Sequence, residues 1–323
     1  MIECIRKIVL ALILLVLPAV AFAQETGAVP VIGVLRASSA TQHDPAMDAI
    51  RTELRAMGYV EGQSIKIEQR FANRRAERLP QLANDLVRMK VKVLIAVNEA
   101  SLRAAMQATS TIPIIVIAYD HDPVAAGLID SMTRPSGNVT GIFSRQVELG
   151  GKRLELLKEM VPGLARVAVL HDPASRATVG LAAAGKQLGL QLRFVELKNP
   201  KGFEGAIKLA ARNLRAAMLL FSPMIFEYRI RLASLAAEAR LPTMTQAREF
   251  VLAGALMSYA PDRTEVAART AYFIERLLRG ATPSDLPVEE AATFKLTVNL
   301  KTAKAVGITI PQSILLRADE VIR

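Results

Sequence analysis

From Val31 onward the chain repeats one local programme, a short β-rich apolar run followed by an amphipathic stretch whose apolar residues recur three and four apart. Strands alternating with helices in this way build parallel sheets covered by helices, so the alternation limits the fold class more than any other feature. Residues 31–35 form an apolar strand. Asp44 followed by Pro45 reads as an N-cap with a first-turn proline. Met47, Ile50, Leu54 and Met57 then share one helical face, and Gly58 ends that helix. Residues 64–69 alternate as a strand, and Leu79, Leu82, Leu86 and Met89 repeat the helical spacing. Residues 91–97 and 112–117 are near-continuous apolar strands, as expected where both faces of a sheet are covered.

A second series repeats the first. It runs through a strand at 166–170, a helix over about 175–189, a strand at 192–197, a helix over about 203–214 and a strand at 217–221. A helix near 225–240 is expected to place Phe226, Ile230, Ala233 and Ala237 on one face. Strand starts near 31, 64 and 92 match those near 166, 191 and 216, which makes a structural pseudo-repeat rather than a short solenoid repeat. No low-complexity linker separates the halves. The joining stretch 138–143 itself reads as a strand, so an ordered, hinge-like connection is expected. Beyond Pro261, Val266, Thr270, Phe273 and Leu277 line another helix that Gly280 and Pro283 stop; a strand at 293–299 and a short helix to Gly307 follow.

The first residues have the order of a secretory signal peptide: Arg6 and Lys7, an apolar run over 8–20, and Ala21-Phe22-Ala23 before Gln24. Pro18 interrupts a run already shorter than the ~20 residues of a membrane span. Cleavage after Ala23 is expected, with an exported, soluble mature chain. Cys4, the only cysteine, leaves with the signal, so the mature chain is expected to have no disulfide, thiolate metal site or cysteine nucleophile. The cleavage also removes two cations and one anion from a chain of net charge +11. The remaining cations are scattered among acids without a polybasic run, which speaks against nucleic acid as a partner.

The motifs for chemistry are weak. Gly180 to Lys186 matches most of a phosphate loop, but Gln187 stands where Ser or Thr is needed, and the stretch reads as the inside of a helix. His43, His121 and His171 are far apart, and no zinc spacing includes them, so no metal is expected. Arg36-Ala37-Ser38-Ser39 follows the first strand where a dinucleotide site needs glycines, and no nucleophile elbow occurs. Neither a cofactor nor a catalytic constellation is expected. What remains is a set of polar residues at the C-terminal ends of strands, the edge where open α/β sheets hold ligands. In the first half these are Ser38 and Ser39, then Asn98, Glu99 and Ser101, then Tyr119, Asp120 and Asp122. In the second half they are Ser144, His171 and Asp172, then Ser222, Gln246 and Tyr259.

Several phrases resemble one family: IGVLRASSA, GYVEGQSIKIEQRFA, RPSGNVTG, GKRLELLKEMVPGLARVAVLHDP and the ending NLKTAKAVGITIPQSILLRADEVI. Over residues 30–323 the chain is similar to the ABC transporter substrate-binding proteins of the tryptophan/tyrosine type. The resemblance implies the type I periplasmic binding protein fold, an α/β fold of two Rossmann-like lobes with parallel sheets joined by a three-crossover hinge. The N-terminal lobe is expected over 30–142 plus about 258–292, and the C-terminal lobe over 143–257 plus about 293–323. It also implies a monomer that is not an enzyme and that hands a small-molecule ligand to a permease and, through it, a cytoplasmic ATPase. The family loops correspond to Ser38-Ser39-Ala40, Asn98 to Ser101, Asp122-Pro123-Val124, His171-Asp172-Pro173, Ser222-Pro223-Met224 and Ser258-Tyr259-Ala260, which adds Met224 to the candidates. Asn98-Glu99 replaces the family's small residues, and His171-Asp172-Pro173 its aromatic-Asn-Pro. Glu99, Asp120, Asp122 and Asp172 suit a ligand's ammonium group, while helix N-termini and Ser101 suit a carboxylate. A periplasmic sensor feeding a signalling receptor would share these lobes. A repressor of the same fold would instead carry a helix-turn-helix ahead of Val31.

Overall fold

The computed structural model describes residues 28–40, 44–118, 123–124, 126–144, 146–173, 178 and 180–323. The expected signal peptide lies outside the described residues, as do His43, Tyr119, Asp120, His121 and Asp122. Among the described residues no helix is long and apolar enough to cross a membrane.

Runs that are apolar on both faces take the interior of the sheets. Along the chain come β1 (Val31–Arg36), β2 (Lys66–Phe71), β3 (Val93–Val97), β4 (Ile114–Ala118) and β5 (Val139–Phe143). Every residue of β4 and β5 is buried, as a strand with helices on both sides requires. A second set follows: β6 (Arg166–His171), β7 (Gln191–Glu196), β8 (Ala217–Leu219), β9 (Thr243–Thr245) and β10 (Met257–Pro261). After the helix Arg263–Leu278 come β11 (Glu289–Glu290), β12 (Phe294–Asn299) and β13 (Glu320–Ile322). The first sheet has the order β11-β5-β4-β3-β1-β2, all parallel. The second has the order β13-β12-β10-β9-β8-β6-β7, where only β10 and β12 run antiparallel. Within each, the first five strands follow the doubly wound order 2-1-3-4-5. The repeat read in the sequence is thus a repeat of topology.

Each sheet carries core on both faces. Ile32, Val34, Ile95 and Ile115 pack under Met47, Ile50 and Leu54 of the helix Pro45–Ala56, joined by Val266, Phe273 and Ile274 of the helix Arg263–Leu278. Residues from late in the chain therefore complete the core of the first sheet. At the centre of β5, Gly141 has φ 141°, and a Cβ there would lie 2.1 Å from the carbonyl oxygen of Val116.

The chain crosses between sheets three times: after Phe143, after Pro261, and between Glu290 and Phe294. The crossings are hydrogen-bonded to one another, Ala291 N–H to the Phe143 carbonyl at 2.8 Å and Asp262 N–H to the Thr293 carbonyl at 2.8 Å. The stretch 138–143 is a strand, but it lies inside the first sheet, and the hinge follows it. The sequence reading put the second crossing near 258; pairing of Met257–Pro261 with β9 and β12 carries it to Pro261.

One helix differs from expectation. The segment 225–240 is two helices, Pro223–Glu227 and Arg229–Glu238, broken at Tyr228 with φ −93° and ψ 18°. The break changes the helical phase, so Leu232, Ala233 and Ala236 are buried while Ile230 is 66% exposed. The phosphate-loop-like stretch is the helix Leu181–Gln187, whose Gly185 packs against Leu192.

Candidate functional site

In a sheet of order 2-1-3-4-5 the order in which strands are added reverses between strands 1 and 3, and the crevice at their C-terminal ends is where ligands bind. In the first sheet that point lies beyond Arg36 and Val97; in the second it lies beyond His171 and Leu219. Arg74, in the loop after β2, reaches Glu227, in the helix after β8, with Nε 3.4 Å from Oε2. Its guanidinium carbon also lies 5.4 Å from the centre of the Tyr228 ring. Both loops leave the C-terminal ends of their strands, so the C-terminal edges of the two sheets face each other across one cleft.

On the first side, Asn98 occupies the switch point. Its φ of 88° and ψ of 169° fall in a region that only glycine enters without strain, and its side-chain oxygen accepts the Ser101 N–H at 2.9 Å. This cap opens the helix Glu99–Ala108, whose first-turn N–H groups and dipole favour an anion. Ser101 is fully buried, and among the described residues its hydroxyl has no hydrogen-bond partner. Glu99 accepts from Arg103 Nε at 2.9 Å, so its charge is compensated within its own helix. Ser38 and Ser39 are half-buried in the loop after β1, where the Ser38 carbonyl accepts Asn73 N–H at 3.1 Å. At the end of β1, Arg36 pairs with Asp44 at 2.6 Å, and the same carboxylate caps the helix Pro45–Ala56.

On the second side, Ser222 caps the helix Pro223–Glu227 by accepting the Ile225 N–H at 3.2 Å. Gln246 accepts the Phe221 N–H at 2.6 Å and so fixes the chain as it leaves β8. Phe221 and Phe226 are half-buried, with ring centres 5.3 Å apart, and Arg229 stacks 4.7 Å from the Phe226 ring. The His171 ring packs edge-on against Phe194 of β7, toward the outer edge of the sheet. Asp172 is half-buried beside it. Met224 is buried in the apolar core under β6 and β8, a packing position rather than a pocket wall.

Ser144 and Tyr259 lie at the crossings. Ser144 is buried and its N–H continues the ladder to the Ala118 carbonyl at 3.1 Å. The Tyr259 ring lies 5.8 Å from Phe294, and its carbonyl accepts from Arg153 Nε at 2.8 Å. Arg153 is fully buried, and burial lowers its guanidinium pKa to about 9. Among the described residues no group of three His, Cys, Asp or Glu side chains is placed to hold a metal. A groove of about 400 Å³ is lined by Lys186, Gly189, Gln191 and Phe194. Gly189 and Gln191 lie where β7 begins, at the end of the sheet opposite the cleft.

The sequence reading selected Ser38, Ser39, Asn98, Glu99, Ser101, His171, Asp172, Ser222 and Gln246 at or beside the facing edges, several of them in structural roles. It passed over Arg36, Arg74, Phe221, Glu227 and Tyr228. Arg74 follows a strand end as the selected residues do, and the signal was available in the run Ala72-Asn73-Arg74 after β2. Tyr228 carried none, because its place depends on a helix break.

Residues 31–322 match the family model described as ABC transporter substrate binding protein. A tyrosine-binding protein of Clostridioides difficile (strain R20291) is 25% identical over 281 residues, which cover 86% of this chain and 81% of that protein. Among solved structures, a conserved domain protein from Vibrio cholerae superposes with a TM-score of 0.81 at 26% identity, over 91% of this chain and 99% of that one. The ABC domain in complex with L-Trp from Streptococcus pneumoniae superposes with a TM-score of 0.80 at 23% identity, over 91% and 99% of the two chains.

Proposed function

The chain belongs to the ABC transporter substrate-binding protein family, and on that premise we propose that it binds an amino acid or related small molecule between its lobes and delivers it to a permease and its ATPase. The observation that carries this reading is the pair of switch points opposed across one cleft, joined by Arg74 and Glu227. The chemistry suits a zwitterion. The helix beginning at Glu99 offers N–H groups to a carboxylate, with the buried Ser101 hydroxyl, unpartnered among the described residues, in its first turn. Phe221 and Phe226 offer an apolar wall on the opposite side. Asp172, half-buried just beyond the end of β6, is proposed for the ammonium group. That the relatives bind tyrosine or L-Trp supports amino acids as the first compounds to try. The signal-like start supports a periplasmic location, with the membrane reached only through the permease.

The test is a thermal-unfolding screen of protein refolded to remove any co-purified ligand, run against the proteinogenic amino acids and related amines. A compound at 100 times its Kd is expected to add about 2.7 kcal/mol of stability. No stabilisation by any member would overturn the reading.

A further inference from the structure

We propose that Arg74, Glu227 and Tyr228 form a clasp across the cleft that sets how much of the protein is closed, and with it how fast a bound molecule leaves. Arg74 and Glu227 lie on opposite lobes, beyond the C-terminal ends of β2 and β8 and away from all three crossings. The guanidinium has two partners at once, the Glu227 carboxylate at 3.4 Å and the Tyr228 ring at 5.4 Å. Both partners come from the helix break at residue 228, which turns the ring and the carboxylate toward the same cation.

The backbone that presents Arg74 is built for this purpose at a cost. Asn73 and Arg74 hold φ at 54° and 63°, two successive non-glycine residues in the left-handed region. Such strain persists only where the surroundings over-determine it. Here Asn73 N–H donates to the Ser38 carbonyl at 3.1 Å and Arg74 N–H to the Ala37 carbonyl at 2.8 Å. The clasp is thereby fastened to the loop after β1, which forms one side of the switch point. A guest held by that loop steadies the arm that carries Arg74, and a closed clasp steadies the loop. On the first lobe the arm follows β2, the edge strand at the opposite side of the sheet from β5 and β11, which carry crossings. Arg74, Glu227 and Tyr228 are thus positioning residues for binding.

The proposal rests on the two-lobe binding reading, but its test needs no ligand. Dyes are attached at Lys66→Cys and Lys208→Cys, exposed positions on the first and second lobes, in the full chain carrying Cys4→Ser. Single-molecule energy transfer then reads the closed-to-open ratio without ligand. Arg74→Gln is expected to lower that ratio on the order of tenfold, from the combined size of a part-exposed ion pair and a cation–π contact, and Glu227→Gln, which keeps the ring contact, by about two- to fivefold. The double variant is expected to go no further than the larger single change. An unchanged ratio in Arg74→Gln, or single effects that multiply in the double variant, would overturn the clasp. Melting temperatures within a degree or two of the parent separate this role from a structural one. With an amino acid that binds, the variants are expected to release it faster at an unchanged association rate. If no compound binds, the distance measurement still stands, so failure of the ligand reading and failure of the clasp are seen separately.

Discussion

Asn98 illustrates how a single residue serves both strain and capping. Its conformation, φ 88° and ψ 169°, costs on the order of 1–3 kcal/mol for any residue with a Cβ, and its side chain offsets part of that by holding the Ser101 N–H. Asn98→Ala keeps the strain and loses the cap, a destabilisation of about 1 kcal/mol. Asn98→Gly loses the cap but releases the strain. Urea unfolding is expected to rank the glycine variant above the alanine variant; the reverse order would show that the strain is not relieved by removing Cβ. The polar candidates around it divide on the same physical ground. Ser222 and Gln246 spend their oxygens on backbone N–H groups, whereas the Ser101 hydroxyl has no hydrogen-bond partner among the described residues.

At the scale of elements, the hinge is a bundle of three crossings stapled by one side chain. Glu265, in the first turn of the helix Arg263–Leu278, accepts from Ala292 N–H at 3.0 Å and from Thr293 N–H at 2.7 Å. It ties a helix that covers the first sheet to the segment leading into the second. Glu265→Ala is expected to cost about 1 kcal/mol, because two N–H groups lose a charged acceptor at a wet site. Hydrogen exchange should show the loss as faster exchange at residues 292 and 293, with the centre of β4 unchanged. Equal acceleration in β4 would mean a global rather than a hinge effect. The segment 225–240 shows why element boundaries escape the sequence. Its apolar residues fit a continuous helix, yet packing around Phe203, Phe226 and Phe250 favours a break at Tyr228 and turns Ile230 outward.

The whole molecule is held together by a chain that leaves each sheet and returns to it. Val266, Ala271, Phe273 and Ile274 belong to the core of the first sheet although they follow the entire second β-α series. A fragment ending at Pro261 lacks that cover and leaves Ile32, Ile95 and Ile115 with only the helix Pro45–Ala56 over them. It is expected to show no cooperative unfolding transition by circular dichroism. A sharp transition in that fragment, with hydrogen exchange in β3 and β4 as slow as in the full chain, would mean that the first lobe folds without its returning helix.

The alternation of apolar runs and amphipathic stretches determined the fold class, the two halves and most of the strands, because sheets buried on both faces demand local hydrophobicity that each segment carries itself. Local chemistry also marked strand ends, and so much of the candidate edge. The tertiary structure alone decided how far β10 runs before the second crossing, and that Arg74 meets Glu227 and Tyr228 from the other lobe. Arg74 and Glu227 stand 153 positions apart, and their meeting depends on how two folded sheets are turned toward each other. No local pattern records that geometry.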